Sequence, residues 1–253
     1  MLTSIKKATT LIEAFVGPQR DWSIIELCAE TGMPQPTIHH FLASFRAAGW
    51  IAQDPRTKRY RLGVKLWEIG CAAVNFREIA ESARPLLHKF VENCGETIHL
   101  GMIPAEDPLT AIYVDRVDSA EPVRVVTELG SKVPSYSSAM GKTIIAHNAA
   151  FEAAVLQAPL TPVTPATIVD PDKLAADFKA TRKRGYSIAR GEFMGEMVGI
   201  AAPVYDRFGV VTLGVGIWAP AVRMTPDFIK TSSELLIATA QGISRQLGYL
   251  KTS

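Results

Sequence analysis

Apolar positions recur every three or four residues through the first quarter of the chain, and this spacing predicts three helices. Ile5, Ala8, Leu11, Ile12 and Phe15 space the first, which ends near Gly17-Pro18. The second opens at Ser23. Its hydroxyl and Glu26 three residues on form a capping box, Trp22 and Leu27 are placed as the hydrophobic staple, and Gly32 stops the helix. The third starts at Pro34 or Pro36, because a first turn tolerates a missing N–H, and it runs to Gly49. Ile38, Phe41, Leu42 and Phe45 in that helix fall on one buried stripe. A rotation of about 100° per residue puts Pro36, His39, His40, Ala43 and Ala47 on the opposite, small and polar side. Two short strand patterns follow, at 50–53 and 59–62, about a turn at 54–57.

The pattern then changes. From 64 to 75, Leu66, Ile69, Ala73 and Phe76 make one apolar stripe while Trp67, Cys71 and Val74 make another, so this helix needs two partners. They are either its own domain and a second subunit, or two neighbours inside one protomer. Ile79, Ala83, Leu86, Leu87, Phe90, Val91 and Cys94 space a further amphipathic helix closed by Gly95. Strand patterns come next at 97–103, 109–117 and 123–129, then helices at 138–147, 151–157 and 172–183, the last with Asp170 as N-cap and Pro171 at its first position. Strands return at 186–189, 198–205 and 210–218, and Thr225-Pro226 starts a final helix to about Gly248. This mixed order predicts an α+β domain whose first and last helices lie together on one face of a sheet.

Two helices joined by a glycine turn, with a second helix whose outward N-terminal residues reach base edges, read as a helix-turn-helix; the strand pair after it reads as a wing. A surface helical hairpin with a solvated turn is the competing reading. Charge favours the first. The chain holds 27 Lys+Arg against 25 Asp+Glu, but residues 1–75 hold nine against six, and Arg56, Lys58, Arg59 and Arg61 crowd the wing, where they suit phosphates.

Three cysteines, Cys28, Cys71 and Cys94, are too scattered for a disulfide framework or a zinc site and read as reduced apolar residues. No histidine pair has metal-ligand spacing, no cofactor motif is present, and no nucleophile sits in a catalytic context, so neither metal nor cofactor nor enzyme activity is expected. The start of the chain lacks the apolar stretch of a signal peptide and no run reaches a membrane span, which predicts a cytoplasmic protein. A phosphate-loop reading of Gly141-Lys-Thr143 fails because Tyr136 stands where a glycine is required. Instead, Ser138 caps a helix whose first N–H groups, from Ser138 to Gly141, favour a carboxylate or another acceptor, unless Ser138 is an ordinary cap without a ligand.

Several motifs together resemble the IclR family of bacterial transcriptional regulators: Leu27-Cys-Ala-Glu-Thr-Gly-Met-Pro34, Thr37-Ile-His39, Ala48-Gly-Trp50, Tyr60-Arg-Leu-Gly63, Gly95-Glu-Thr97, Tyr113-Val-Asp-Arg-Val117, Ser138-Ala-Met-Gly-Lys142, Arg184-Gly-Tyr186 and Ile200-Ala-Ala-Pro-Val204. The resemblance implies a winged helix-turn-helix over 1–64, a dimerising linker helix over 65–80 and a GAF-like effector-binding domain over 81–253. It implies operator contacts by Gln35, Pro36, Thr37, His39, His40, Arg46 and the four wing cations. It also implies an effector pocket of Val133, Tyr136, Ser138, Ala139, Met140, Gly141, Ala189, Arg190, Phe193, Met197, Gly199, Gly216 and Trp218.

The departures from the family pattern are informative. Gln35, Pro36 and His40 replace basic and hydroxyl residues common on the recognition helix, which shifts phosphate work to the wing and leaves Gln35 as an adenine reader. Ala189 and Arg190 replace acidic residues, Tyr136 replaces a histidine, and Gly216 and Trp218 replace small hydroxyl residues. These changes make the expected pocket apolar and aromatic. The expectation is therefore a regulator, more readily a repressor, of a catabolic operon, binding double-stranded DNA as a homodimer or a dimer of dimers and sensing a small aromatic acid-like effector. A constitutive DNA-binding dimer whose second domain only dimerises is the alternative.

Overall fold

The computed structural model describes residues 2–16, 19–73, 76–122 and 124–250. The helix end expected at Gly17-Pro18 and the faces of Cys71, Ala73, Val74 and Phe76 fall outside the described residues and side chains. The chain forms two compact units, Met1–Arg77 and Glu78–Ser253.

The first unit holds α1 (Thr3–Glu13), α2 (Ile24–Thr31), α3 (Gln35–Ala47), β1 (Ile51–Gln53), β2 (Tyr60–Leu62) and α4 (Val64–Ala73). The capping box forms in both directions: Glu26 N donates to Ser23 Oγ at 3.3 Å and Ser23 N donates to Glu26 Oε2 at 2.7 Å. Gly32 closes α2 in the left-handed conformation, with φ 67°. Trp22, Leu27, Ile38, Leu42, Phe45, Ile51 and Tyr60 share one core with Leu11 and Phe15 of α1 and its end. Gly63 admits no side chain, since a Cβ there would lie 2.1 Å from Gly49 O, and this close crossing joins the end of α3 to the start of α4.

The second unit holds α5 (Phe76–Cys94, from Glu78 on), β3 (Ile98–Met102), β4 (Thr110–Val117), β5 (Lys132–Pro134), α6 (Ala139–Ala146), α7 (Ala149–Gln157), α8 (Pro171–Arg184), β6 (Ser187–Arg190), β7 (Met197–Tyr205), β8 (Val211–Pro220) and α9 (Pro226–Gln246). Its six strands form one antiparallel sheet in the order β5-β4-β3-β8-β7-β6. α5 and α9 lie against each other, with Leu86 on Gly242. α6 packs on the sheet through glycines: a Cβ at Gly101 would meet Met140 at 2.9 Å, and one at Gly214 would meet Met140 Sδ at 3.0 Å.

One expected strand does not form. Residues 124–128 are irregular, and the sheet edge is taken by Lys132–Pro134. Gly130 N donates to Tyr113 O and Tyr113 N to Ser131 O, so the edge of β4 is occupied by the chain after the Gly130 turn. The alternation at Val126, Thr127 and Leu129 is satisfied by one inward residue, Thr127, while Val126 and Leu129 stay exposed.

Candidate functional site

Two surfaces carry chemistry, one in each unit. In the first, α3 buries Ile38, Leu42 and Phe45 and leaves Gln35, Pro36, His39 and His40 exposed, with Thr37 half-buried. Arg46 donates to Gln53 Oε1 at 2.9 Å, which ties the helix to the wing. In the wing turn, Asp54 Oδ1 accepts the N–H groups of Arg56 and Thr57, and these bonds hold its carboxyl below the usual range. Arg56, Lys58 and Arg61 point to solvent. Arg59 does not: its guanidinium reaches Glu26 at 2.7 Å and Asp21 at 3.1 Å. The capping carboxylate of α2 is thus also the anchor of the wing.

In the second unit a cavity opens beside the N-terminus of α6. Its wall includes nine of the thirteen effector positions expected from the sequence, namely Ser138, Ala139, Met140, Ala189, Phe193, Met197, Gly199, Gly216 and Trp218. Four do not reach it. Val133 and Tyr136 belong to the apolar core beneath α6 and α8, because a 3-10 turn at Ser135–Ser137 carries the Tyr136 ring away and its hydroxyl donates to Thr161 O at 2.8 Å. Gly141 is packed under Ser135, where a Cβ would stand 2.1 Å from the carbonyl oxygen, and its N–H is taken by Ser138 Oγ. Arg190 is exposed, since alternation along β6 turns Ala189 inward and Arg190 outward.

Tyr113, His99, Glu192, Ser137 and Met194 join the wall without having been expected there. His99 and Tyr113 lie on the middle strands, and their rings are 5.2 Å apart; Trp218 is 6.4 Å from both His99 and Phe193. Burial pushes His99 down to about 4, helped by the nearby Arg116 charge, so its ring is neutral near pH 7; its Nε2 pairs with Thr127 Oγ1 at 3.0 Å. Burial alone pushes the Tyr113 phenol up to about 12. The Trp218 indole N–H is buried and meets no acceptor among the described residues.

The cavity floor is largely backbone. A Cβ on Gly199 would stand 3.2 Å from Ala139 Cβ, and one on Gly216 would stand 2.8 Å from Ile200 O. About 40 Å³ of the space is open to the centre of a water molecule. The first two N–H groups of α6, at Ala139 and Met140, have no acceptor within the helix and carry the positive end of its dipole. Lys142 supplies no charge to the wall. It is fully buried, and its ammonium donates to Glu192 at 2.7 and 3.0 Å and to Ile188 O at 3.1 Å, with Asp177 at 2.7 Å. Among the described residues no group of three or more His, Cys, Asp or Glu could hold a metal ion, and no helix is long and apolar enough to cross a membrane.

A winged helix-turn-helix unit and an α/β unit with an aromatic-lined cavity at a helix N-terminus are the parts of a DNA-binding transcriptional regulator. The IclR helix-turn-helix domain matches residues 4–55 and the IclR C-terminal domain of bacterial transcriptional regulators matches residues 71–245, so the chain belongs to the IclR family. It is similar to the HTH-type transcriptional regulator KdgR of Dickeya chrysanthemi, 30% identical over 98% of this chain and 81% of that protein. It is also similar to the HTH-type transcriptional repressor AllR of Escherichia coli K12, 27% identical over 89% of this chain and 83% of that one. An IclR homologue from Microbacterium hydrocarbonoxydans, solved in complex with 4-hydroxybenzoate, has the same fold: TM-score 0.83, 21% identity, covering 97% of this chain and 99% of that one.

Proposed function

We propose that this regulator is a homodimeric repressor of a catabolic operon that releases or retains its operator according to a small aromatic acid held in the α6 cavity. The observation that carries the reading is the composition of the wall: Tyr113, His99, Phe193 and Trp218 surround a space bounded on one side by the free N–H groups of α6. The rings suit a flat apolar body, and the helix terminus suits its carboxylate. The homologue that holds 4-hydroxybenzoate supports the same ligand class. On the DNA side, Gln35, Pro36, Thr37, His39 and His40 face the bases, and Arg56, Lys58 and Arg61 hold phosphates. Arg46 and Arg59 fix the wing.

Two half-sites about 34 Å apart must be met together, so a small change in the spacing of the two winged units weakens binding to both. A differential ligand affinity worth about 1–3 kcal/mol changes DNA affinity 5- to 150-fold. The test is a thermal-shift screen of benzoate, its hydroxy derivatives, their amides and esters, and short aliphatic acids, followed by binding to the flanking intergenic DNA with each hit. A ring acid that raises the melting temperature and changes DNA affinity supports the reading. Trp218→Ala is expected to weaken that hit at least tenfold, and Trp218→Phe to retain the part owed to the ring; unaltered binding by Trp218→Ala refutes the aromatic assignment. DNA binding that no compound alters favours a constitutive dimer instead.

A further inference from the structure

Residues 191–197 lead from β6 into β7 and give Glu192, Phe193, Met194 and Met197 to the cavity wall, and the side-chain bonds that hold them are gathered at one end. At the root, Thr164 Oγ1 donates to Gly191 O and Thr167 Oγ1 to Glu192 O, both at 2.6 Å. The Glu192 carboxylate is buried against Lys142, which joins it to α8 through Asp177 and to β6 through Ile188 O. Gly191 at the root has φ +66°, and its N–H donates to Met197 O at 2.8 Å, which closes the loop on itself. The tip is exposed at Met194, Gly195 and Glu196 and is held by backbone alone: Met197 N donates to Met194 O and Ala221 N to Glu196 O, both at 2.9 Å, so lifting it breaks the bond to Ala221, and a Cβ on Gly195 would meet nothing within 4 Å. Phe193 and Met194 from this loop form the roof.

The cavity volume of about 40 Å³ is less than an aromatic acid occupies. Access for a ring therefore requires the tip to lift. We infer that residues 193–196 are a lid hinged on a fixed root, and that Lys142 is the positioning residue that holds the root through Glu192. Lys142 touches no ligand. A lone ammonium shared by α6, α8, the end of β6 and the lid keeps the hinge in place while the roof moves. Removing it leaves two carboxylates without their common cation, which loosens the root of the lid.

That the lid guards an effector rests on the function proposed above; that Lys142 holds the root does not. The test is hydrogen exchange on the full chain, following amides 191–197 and, as an internal reference, those of β7 and β8. In Lys142→Met the exchange of 191–197 is expected to rise about tenfold while the central strands keep their protection. Glu192→Gln, which keeps shape and one acceptor, is expected to raise it by a smaller factor, and it decides the matter if Lys142→Met does not fold. Unchanged exchange at 191–197, or a rise spread evenly over the sheet, overturns the assignment. In parallel, 4-hydroxybenzoate is used as the probe: a faster dissociation from Lys142→Met, whose side chain lies outside the cavity wall, supports the lid, and an unchanged dissociation rate beside raised exchange at 191–197 refutes it. Loss of lid protection with no probe binding in any variant leaves the anchor standing and refutes the effector class instead.

Discussion

His99 sits in the cavity wall with its ring 1% exposed, and the cost of charging it there has a measurable sign. Its folded pKa lies at about 4, below the ordinary 6.5. Above pH 6.5 both the folded and the unfolded chain carry a neutral ring, and this residue adds no pH dependence. Below 6.5 the unfolded chain takes up a proton that the folded chain refuses, so stability falls until the folded pKa is reached. The loss is at most about 3 kcal/mol. Burial lowers His147 as well and adds a slope of the same sign. Melting of wild type and His99→Asn between pH 7 and 4.5 is expected to show a shallower decline in the variant. Equal slopes would assign the whole acid sensitivity to His147 and the carboxylates.

Between α2 and the wing, Arg59 supplies an element-scale connection that its position in a basic cluster conceals. Its guanidinium is shared by Glu26, which caps α2, and Asp21. Arg59→Ala is expected to lower DNA affinity by displacing the wing while leaving the salt dependence nearly unchanged. Arg61→Ala, which removes a cation facing solvent, is expected to flatten the logarithmic salt slope by about one unit. Titrations at several salt concentrations separate the two, and a reduced slope for Arg59→Ala would mean that it contacts phosphate after all. Caps such as Ser23–Glu26 and Asp170 are legible in the sequence because both partners lie within one turn, and the capping hydroxyl or carboxylate has one place to go. The partners of a strand are not. The apolar alternation at 123–129 is real, but the edge it would pair with is taken by Ser131 and Lys132–Pro134. The same limit divides the cavity. The α6 cap is locally marked and the last-strand residues come from the resemblance to the family, whereas His99 and Tyr113 join them only because β4, β3 and β8 are neighbours, which puts His99 opposite Gly216. Tyr136 was misplaced by three residues of 3-10 turn, a rotation that no periodicity announces.

At the scale of the whole molecule, α4 of the first unit exposes apolar residues among those described. Val64 is 74% exposed, Trp67 73% and Ile69 44% on α4. Val64 and Trp67 lie on one side of the helix and Ile69 on another, and apolar residues exposed on two sides are characteristic of contact with another chain. For the homodimer proposed above, Trp67→Asp is expected to give a monomer in sedimentation at micromolar concentration and to weaken operator binding more than a hundredfold, while the melting of the second unit stays put. A dimer that survives the substitution places the interface elsewhere. The second unit carries its own long-range consequence in the glycines under α6. Because Gly199 and Gly216 present backbone rather than side chains to the cavity, added carbon at the floor meets Ala139 or a strand carbonyl almost at once. The roof, with Phe193, Met194 and an unencumbered Gly195, has slack. A cavity built this way is open to change from above: a lineage fitting it to a new small molecule has one short loop in which to search, and the sheet beneath need not be touched.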